Sequence, residues 1–212
     1  PTLMKFSKII KDTANYFSIK IDNYNDVPLG VDWNSNEAQE IRQDQVLKII
    51  NTTNKFSIND VGCGYAHLFD YLKIKKYSDF KYYGCDISLQ MIKQAKKRYV
   101  NTDIKLQLIN SINEINISDY SVASGIFNIK QEVQNNEWKA YIFECLEQIN
   151  KKSQKGFSFN MLTSYADKKF MRPDLHYGDP LFYFDYCKKK FSNNVSLLHD
   201  YGLYDFTILV RR

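Results

Sequence analysis

Little in this chain of 212 residues works as punctuation or as a staple: it has only four prolines and eight glycines. That excludes collagen-like and low-complexity repeats and leaves no Pro/Gly/Ser linker on which to hang a second domain. The four cysteines, Cys63, Cys85, Cys145 and Cys187, form no C-x-x-C pair and no His/Cys spacing that suits zinc. They read as reduced, buried thiols of a cytoplasmic protein. No signal-like start and no apolar run long enough to cross a bilayer occurs, so a soluble protein without a membrane partner is expected. Charge of one sign is scarce as well: 29 Lys+Arg against 24 Asp+Glu leaves +5, scattered over helix-like stretches. A nucleic-acid surface would want a concentrated basic patch, and none is seen. No internal repeat is present.

What is plentiful is apolar and aromatic material. At 44% hydrophobic the chain can build a full core, as a single domain over residues 1–212. Tyrosine, at 16 residues, concentrates towards the end, where an amphipathic pocket wall is one use for it. Residues 3–18 carry a helical stripe of Phe6, Ile9, Ile10, Thr13 and Phe17. Residues 22–33 are polar and turn-rich. A second helix is predicted from Asn34, as N-cap with Glu37 three residues on, to about Asn51. Residues 1–51 thus form a helical entry segment.

From residue 52 to 162 strands and helices alternate. Strands are predicted at 55–61, 81–85, 104–109, 120–124 and 155–161, and helices at 66–73, from Ser88 to about Tyr99, and at 134–150. The last 50 residues hold a loop, a helix opened by Asp179-Pro180 that should bury Leu181, Phe184, Cys187 and Phe191, and a closing hairpin at 195–199 and 205–211. The class is therefore α/β with a sheet made mixed by that hairpin. Ser57 and Asn59, on a first strand that should be buried on both faces, do not fit the pattern.

The informative stretch is Asp60-Val61-Gly62-Cys63-Gly64-Tyr65-Ala66, between the first strand and its helix. Two glycines one residue apart let backbone approach a ligand, and the helix that follows aims N–H groups at it. Asp86 ends the second strand about twenty residues later, where a carboxylate can accept both hydroxyls of a ribose. Its plainer use is to cap the next helix. A P-loop is excluded. A nicotinamide cofactor would want a third glycine where His67 stands, and Asp60 suits a cationic amino group better than a pyrophosphate.

These motifs, with Tyr83-Gly84-Cys85-Asp86-Ile87-Ser88, resemble the class I S-adenosylmethionine-dependent methyltransferases over residues 55–162. The resemblance implies a Rossmann-like three-layer αβα sandwich with a seven-stranded mixed sheet and an antiparallel last strand. It implies S-adenosyl-L-methionine as cofactor, with its methionine part on Asp60, Gly62, Cys63 and Gly64, its ribose on Asp86 and its adenine on Ile87. Ser111 stands where the family usually has an acid for the adenine amino group, and leaves the Ile112 amide available. The run from Asp119 to Asn128, with Trp33-Asn34-Ser35, Glu37, Gln39 and Arg42 and the stretch 198–207, resembles a bacterial subgroup found with capsule and surface-polysaccharide genes. From that likeness, residues 22–42 are expected to fold over the cofactor, with Trp33 shielding it and Arg42 meeting its carboxylate. Ser124, Gly125, Phe127 and Asn128, at the end of the fourth strand, should face the methyl group and the acceptor.

Methyl transfer from a sulfonium needs positioning and desolvation, and a hydroxyl acceptor also gains from a base. The candidate bases are His199 and His176, on loops at strand ends, ahead of His67. Tyr165, Tyr177 and Tyr201, with Tyr183 and Tyr204, are candidates to line an acceptor pocket. No [ND]-P-P-[YF] and no Pro-Cys pair occurs at the fourth strand, which argues against nucleobase methylation. The function expected is methyl transfer to a small molecule, foremost an oxygen of a sugar or activated capsule precursor in the cytoplasm. RNA or protein methylation, and a nicotinamide-dependent oxidoreductase, are the alternatives.

Overall fold

A computed structural model describes residues 6–24, 35–52 and 54–212. The elements in chain order are α1 (Ser7–Tyr24), α2 (Asn36–Leu47), β1 (Phe56–Val61), α3 (His67–Ile74), β2 (Phe80–Asp86), α4 (Leu89–Arg98) and β3 (Lys105–Leu108). Then follow β4 (Ser118–Ala123), α5 (Asn135–Lys152), β5 (Ser153–Leu162), α6 (Pro180–Lys190), β6 (Asn194–Leu198) and β7 (Asp205–Arg211). One seven-stranded sheet runs β3-β2-β1-β4-β5-β7-β6. β1 to β5 pair in parallel, and β7 runs antiparallel to both β5 and β6. The expected mixed sheet is there.

The sheet is covered on both faces because its central strands are apolar on both. Ile58, Tyr120, Val122 and Leu209 meet Val46, Leu47 and Ile49 around α2, Leu68 and Leu72 of α3, and Ala95 of α4. On the opposite face, Ala123, Phe157, Phe159 and Ile208 meet Trp138, Ile142 and Leu146 of α5 and Cys187 of α6. The Trp138 indole N–H donates to the Phe127 carbonyl (2.9 Å), so this large side chain is buried without an unmet donor. The polar residues of β1 have partners too. Ser57 and Asp119 exchange bonds (Ser57 N to Asp119 Oδ2 2.8 Å, Asp119 N to Ser57 Oγ 2.9 Å). Asn59 Nδ2 donates to the Asn116 carbonyl (2.7 Å) and to Ser121 Oγ (3.1 Å). A second polar row inside the sheet thus accounts for the two residues that broke the pattern.

Several expectations need correction. α1 extends to Tyr24, into the stretch read as turn. α2 is capped by Ser35, whose side chain accepts from Ala38 N (3.1 Å), and it ends at Leu47. Leu181 is 60% exposed, while Tyr183 takes the inward place on α6. The N-capping roles of Ser88 and Asp179 hold.

At the carboxyl edge of the sheet the neighbours of β1 diverge, β2–β3 to one side and β4–β5 to the other. Such a switch point leaves a crevice for a ligand. α1 passes across it. The residue before α1, Phe6, meets Tyr141 of α5 edge-on (5.6 Å between centroids), and Phe17 near its far end packs on Tyr65 and Met91. Ser18 Oγ bonds Ser88 Oγ (2.8 Å) and donates to Gln90 Oε1 (2.9 Å), which ties α1 to α4.

Candidate active site

The crevice holds a cavity of about 110 Å³ beneath α1. A second, of about 210 Å³, shares Ile87, Ile112 and Tyr141 with it. Together they reach the lower end of the roughly 300–1,000 Å³ of ligand pockets.

The glycine loop forms the floor. Gly62 has φ +73° and its N–H donates to the Cys85 carbonyl (2.8 Å). A Cβ there would come within 2.3 Å of the Ile126 side chain. Ala66 starts α3 in the left-handed region (φ 64°) with no side-chain cap. The first-turn N–H groups of α3 therefore face the loop without a capping side chain.

Two carboxylates close the walls. Asp60 accepts from Tyr82 Oη (2.5 Å), and burial pushes its pKa from an ordinary 3.8 up to about 7. Asp86 Oδ2 accepts from Gly64 N (2.9 Å) and Oδ1 from Ser88 N (2.8 Å). Burial raises the Asp86 pKa and these N–H groups pull it back. No lysine or arginine lines the cavity among the described residues. Two buried carboxylates without a cation fit a ligand that carries net positive charge and oppose a pyrophosphate.

Of the residues expected to hold the cofactor, Asp60, Gly62, Cys63, Gly64, Asp86, Ile87, Ile112, Ser124 and Gly125 all line the first cavity. Ser111 lines the second, with Ile87 and Ile112. Asn160 of β5 fixes the rim, donating from Nδ2 to Ser124 Oγ (2.9 Å) and accepting from Gly125 N at Oδ1 (2.7 Å). Arg42 is elsewhere: its Nε (3.1 Å) and Nη2 (2.6 Å) both donate to Asp205 Oδ2. Trp33 lies outside the described residues.

The acceptor-side residues do not converge on the cavity. Phe127 is fully buried against Phe159, and Asn128 Oδ1 accepts from Leu162 N (3.0 Å). His176 bonds Tyr183 Oη through Nε2 (3.2 Å), and burial, then Lys130 and Lys139, lower its pKa to about 4. Tyr177 Oη accepts from Arg172 N (3.0 Å), and Tyr201 Oη bonds Thr207 Oγ1 (3.0 Å). His199 is exposed beside the equally exposed Tyr165 (5.8 Å between centroids).

Sequence reasoning did not find Gln39 and Gln43 of α2, Tyr82 or Thr13, and it gave His67 a lesser place. His67 lines the cavity with Nδ1 on Gln43 Oε1 (3.0 Å), and burial, then Arg98, lowers its pKa. Gln39 belongs to the entry-helix resemblance but carries no role in it, and the signal for Gln43 is its four-residue spacing from Gln39 on a helix with an imperfect apolar face.

Residues 59–128, from β1 to just past β4, match the family model described as "Methyltransferase domain". The chain is 47% identical over 169 residues to the Mycobacterium tuberculosis protein described as "Putative methyltransferase Rv1506c", covering 78% of this chain and 99% of that one. The chain belongs to the class I S-adenosylmethionine-dependent methyltransferases. Among solved structures, this methyltransferase overlays magnesium protoporphyrin IX methyltransferase from Synechocystis PCC 6803, with bound S-adenosylhomocysteine, at a TM-score of 0.59 (13% identity, 84% of this chain, 88% of that one). Human N-acetylserotonin methyltransferase gives 0.58 (14% identity, 83% of this chain), and the chain spans about half, 54%, of that enzyme. Phosphoethanolamine N-methyltransferase 1 of Haemonchus contortus gives 0.65 (10% identity, 97% of this chain, 50% of that one). At such identities the likeness is one of fold. No helix among the described residues is long and apolar enough to cross a membrane.

Proposed function

We propose that this methyltransferase acts on a small molecule, foremost on an oxygen of a sugar or an activated surface-polysaccharide precursor, with the paired cavities as the cofactor site. The observation that carries the cofactor site is its charge: Asp60 and Asp86, both buried, line a crevice with no lysine or arginine among its described lining residues. S-adenosylmethionine, bearing sulfonium, ammonium and carboxylate groups, supplies an activated methyl group and one net positive charge. Asp60 takes the ammonium group, Asp86 the ribose hydroxyls, and Ile87 and Ile112 sandwich the adenine, with Ser111 at its edge. Ser124 and Gly125, held by Asn160, set the floor under the methyl group.

The acceptor reading rests on two exposed aromatic pairs. Tyr165 lies beside His199 (5.8 Å between centroids), and Phe170 lies beside Tyr204 (6.3 Å), whose hydroxyl donates to Asp167 (2.7 Å). Aromatic faces beside a carboxylate and an imidazole suit a polyhydroxylated ring. His199 is the acceptor-side base in this reading. His176 holds α6 in place, since Tyr183 already occupies its Nε2 and burial keeps it neutral.

Calorimetry should show binding of S-adenosylhomocysteine and none of NAD. Incubation with methyl-labelled S-adenosylmethionine should label a nucleotide-sugar pool and leave transfer RNA unlabelled; the opposite distribution of label would overturn the acceptor class. Replacing His199 with alanine should lower turnover at least tenfold and leave cofactor affinity intact, the yield of a general base being about 10²–10⁴.

A further inference from the structure

Resting on the reading of the cavity as the cofactor site, we propose that Gln39 and Gln43 form a neutral amide clamp for the carboxylate of the cofactor's methionine part. Their four-residue spacing puts both on one face of α2, and both line the cavity although each is only 6% exposed. Both amides are fixed at the oxygen end. Gln39 Oε1 accepts from Tyr65 Oη (3.0 Å), and Gln43 Oε1 bonds His67 Nδ1 (3.0 Å). Those partners flank Ala66 at the start of α3, so the clamp stands beside the glycine loop.

With the oxygens held, each amide presents its Nε2 as the remaining group, and among the described residues neither Nε2 has a protein acceptor. Each Nε2 keeps some accessible surface and is not sealed in the core, as befits a donor that opens onto the cavity. Two on one face of one helix, both lining a cavity, point to an acceptor-rich ligand group. The carboxylate is the anionic group of S-adenosylmethionine, and the cation expected to meet it, Arg42, is on Asp205. The uncapped start of α3, with its first-turn N–H groups, lies beside the same spot. Neutral donors also leave Asp60 and Asp86 free of a competing cation.

The test pairs two ligands with two variants in the intact chain. Gln39→Met and Gln43→Met keep the side-chain length and remove the donors. Affinity is measured for S-adenosylhomocysteine and for its decarboxylated analogue, which keeps the amine and lacks only the carboxylate. Each variant should weaken S-adenosylhomocysteine about ten- to hundredfold, the value of a hydrogen bond to a charged group, and change the analogue by less than threefold. Equal losses for both ligands would show that the glutamines only shape α2 and overturn the clamp, as would no loss for either. If the unaltered protein binds neither ligand, the cofactor reading itself fails, a result distinct from failure of the clamp.

Discussion

Asp60 shows how one residue can be a burden to the fold and an asset to the site. Its carboxyl is buried, with Tyr82 Oη as its hydrogen-bond donor, and is pushed up to about 7 from 3.8. Between those values the folded protein holds a proton that the unfolded chain has released. Stability therefore falls as pH rises from about 4 to about 7, by about 4 kcal/mol in total, and stays low above that. Asp60→Asn removes the titration and still accepts from Tyr82. Without ligand, this variant should melt several degrees higher than the parent at pH 8, with the gap closing towards pH 5. Its affinity for S-adenosylhomocysteine should drop more than tenfold, because the ammonium group loses its counter-charge. In the parent, that affinity should weaken as pH falls below 7 and Asp60 takes up its proton. Equal melting temperatures for variant and parent at pH 8 would refute the account. Gly62 carries a different constraint. At φ +73°, with Ile126 2.3 Å from a notional Cβ, Gly62→Ala should lower stability by about 1–3 kcal/mol in a denaturant titration.

At the scale of elements, legibility followed local chemistry. β1, its glycine loop and Asp86 could be read because each needs specific residue types at fixed offsets, and α5 because Trp138, Ile142, Cys145, Leu146 and Ile149 face one core. The polar elements were less readable. α2 buries Gln39, Arg42, Gln43 and Gln45 beside only Val46 and Leu47, so its inward face has no apolar period to detect. Leu181 was placed inside on hydrophobicity alone, and helix α6 turns Tyr183 there instead. Of residues 22–42, expected to cover the cavity, 25–34 lie outside the described residues; among the described ones Gln39 lines it, and α1 adds Thr13 and Phe17. The apolar stripe of α1 was visible, but not that it would be shared between α5 and α4. Phe17→Ala removes the ring that meets Tyr65 and Met91 while leaving the Phe6 and Ile9 contacts with the main core. The melting temperature should therefore change little, and S-adenosylhomocysteine should dissociate about tenfold faster in stopped-flow measurements. An unchanged dissociation rate would mean that α1 rests on the site without gating it.

Across the whole molecule, a buried ion pair joins distant parts of the sequence. Arg42 of α2 and Asp205 of β7 are 163 residues apart, with side chains 10% and 0% exposed. Arg42 also donates to the Ala38 carbonyl (3.0 Å). Asp205 Oδ1 has no partner among the described residues, so the pair is imperfectly satisfied, and its formation adds less than its short 2.6 Å contact suggests. Breaking it is another matter, since Asp205→Ala leaves a buried guanidinium without its carboxylate partner. We expect a loss of about 3–5 kcal/mol in urea unfolding. Asp205→Asn, which keeps an acceptor for the guanidinium, should lose less. Neither variant should alter the affinity of the folded fraction for S-adenosylhomocysteine, because the pair lies outside the cavity lining. If Asp205→Ala instead weakened the cofactor tenfold at unchanged stability, Arg42 would belong to the site after all, and α2 would bind through its arginine as well as its glutamines.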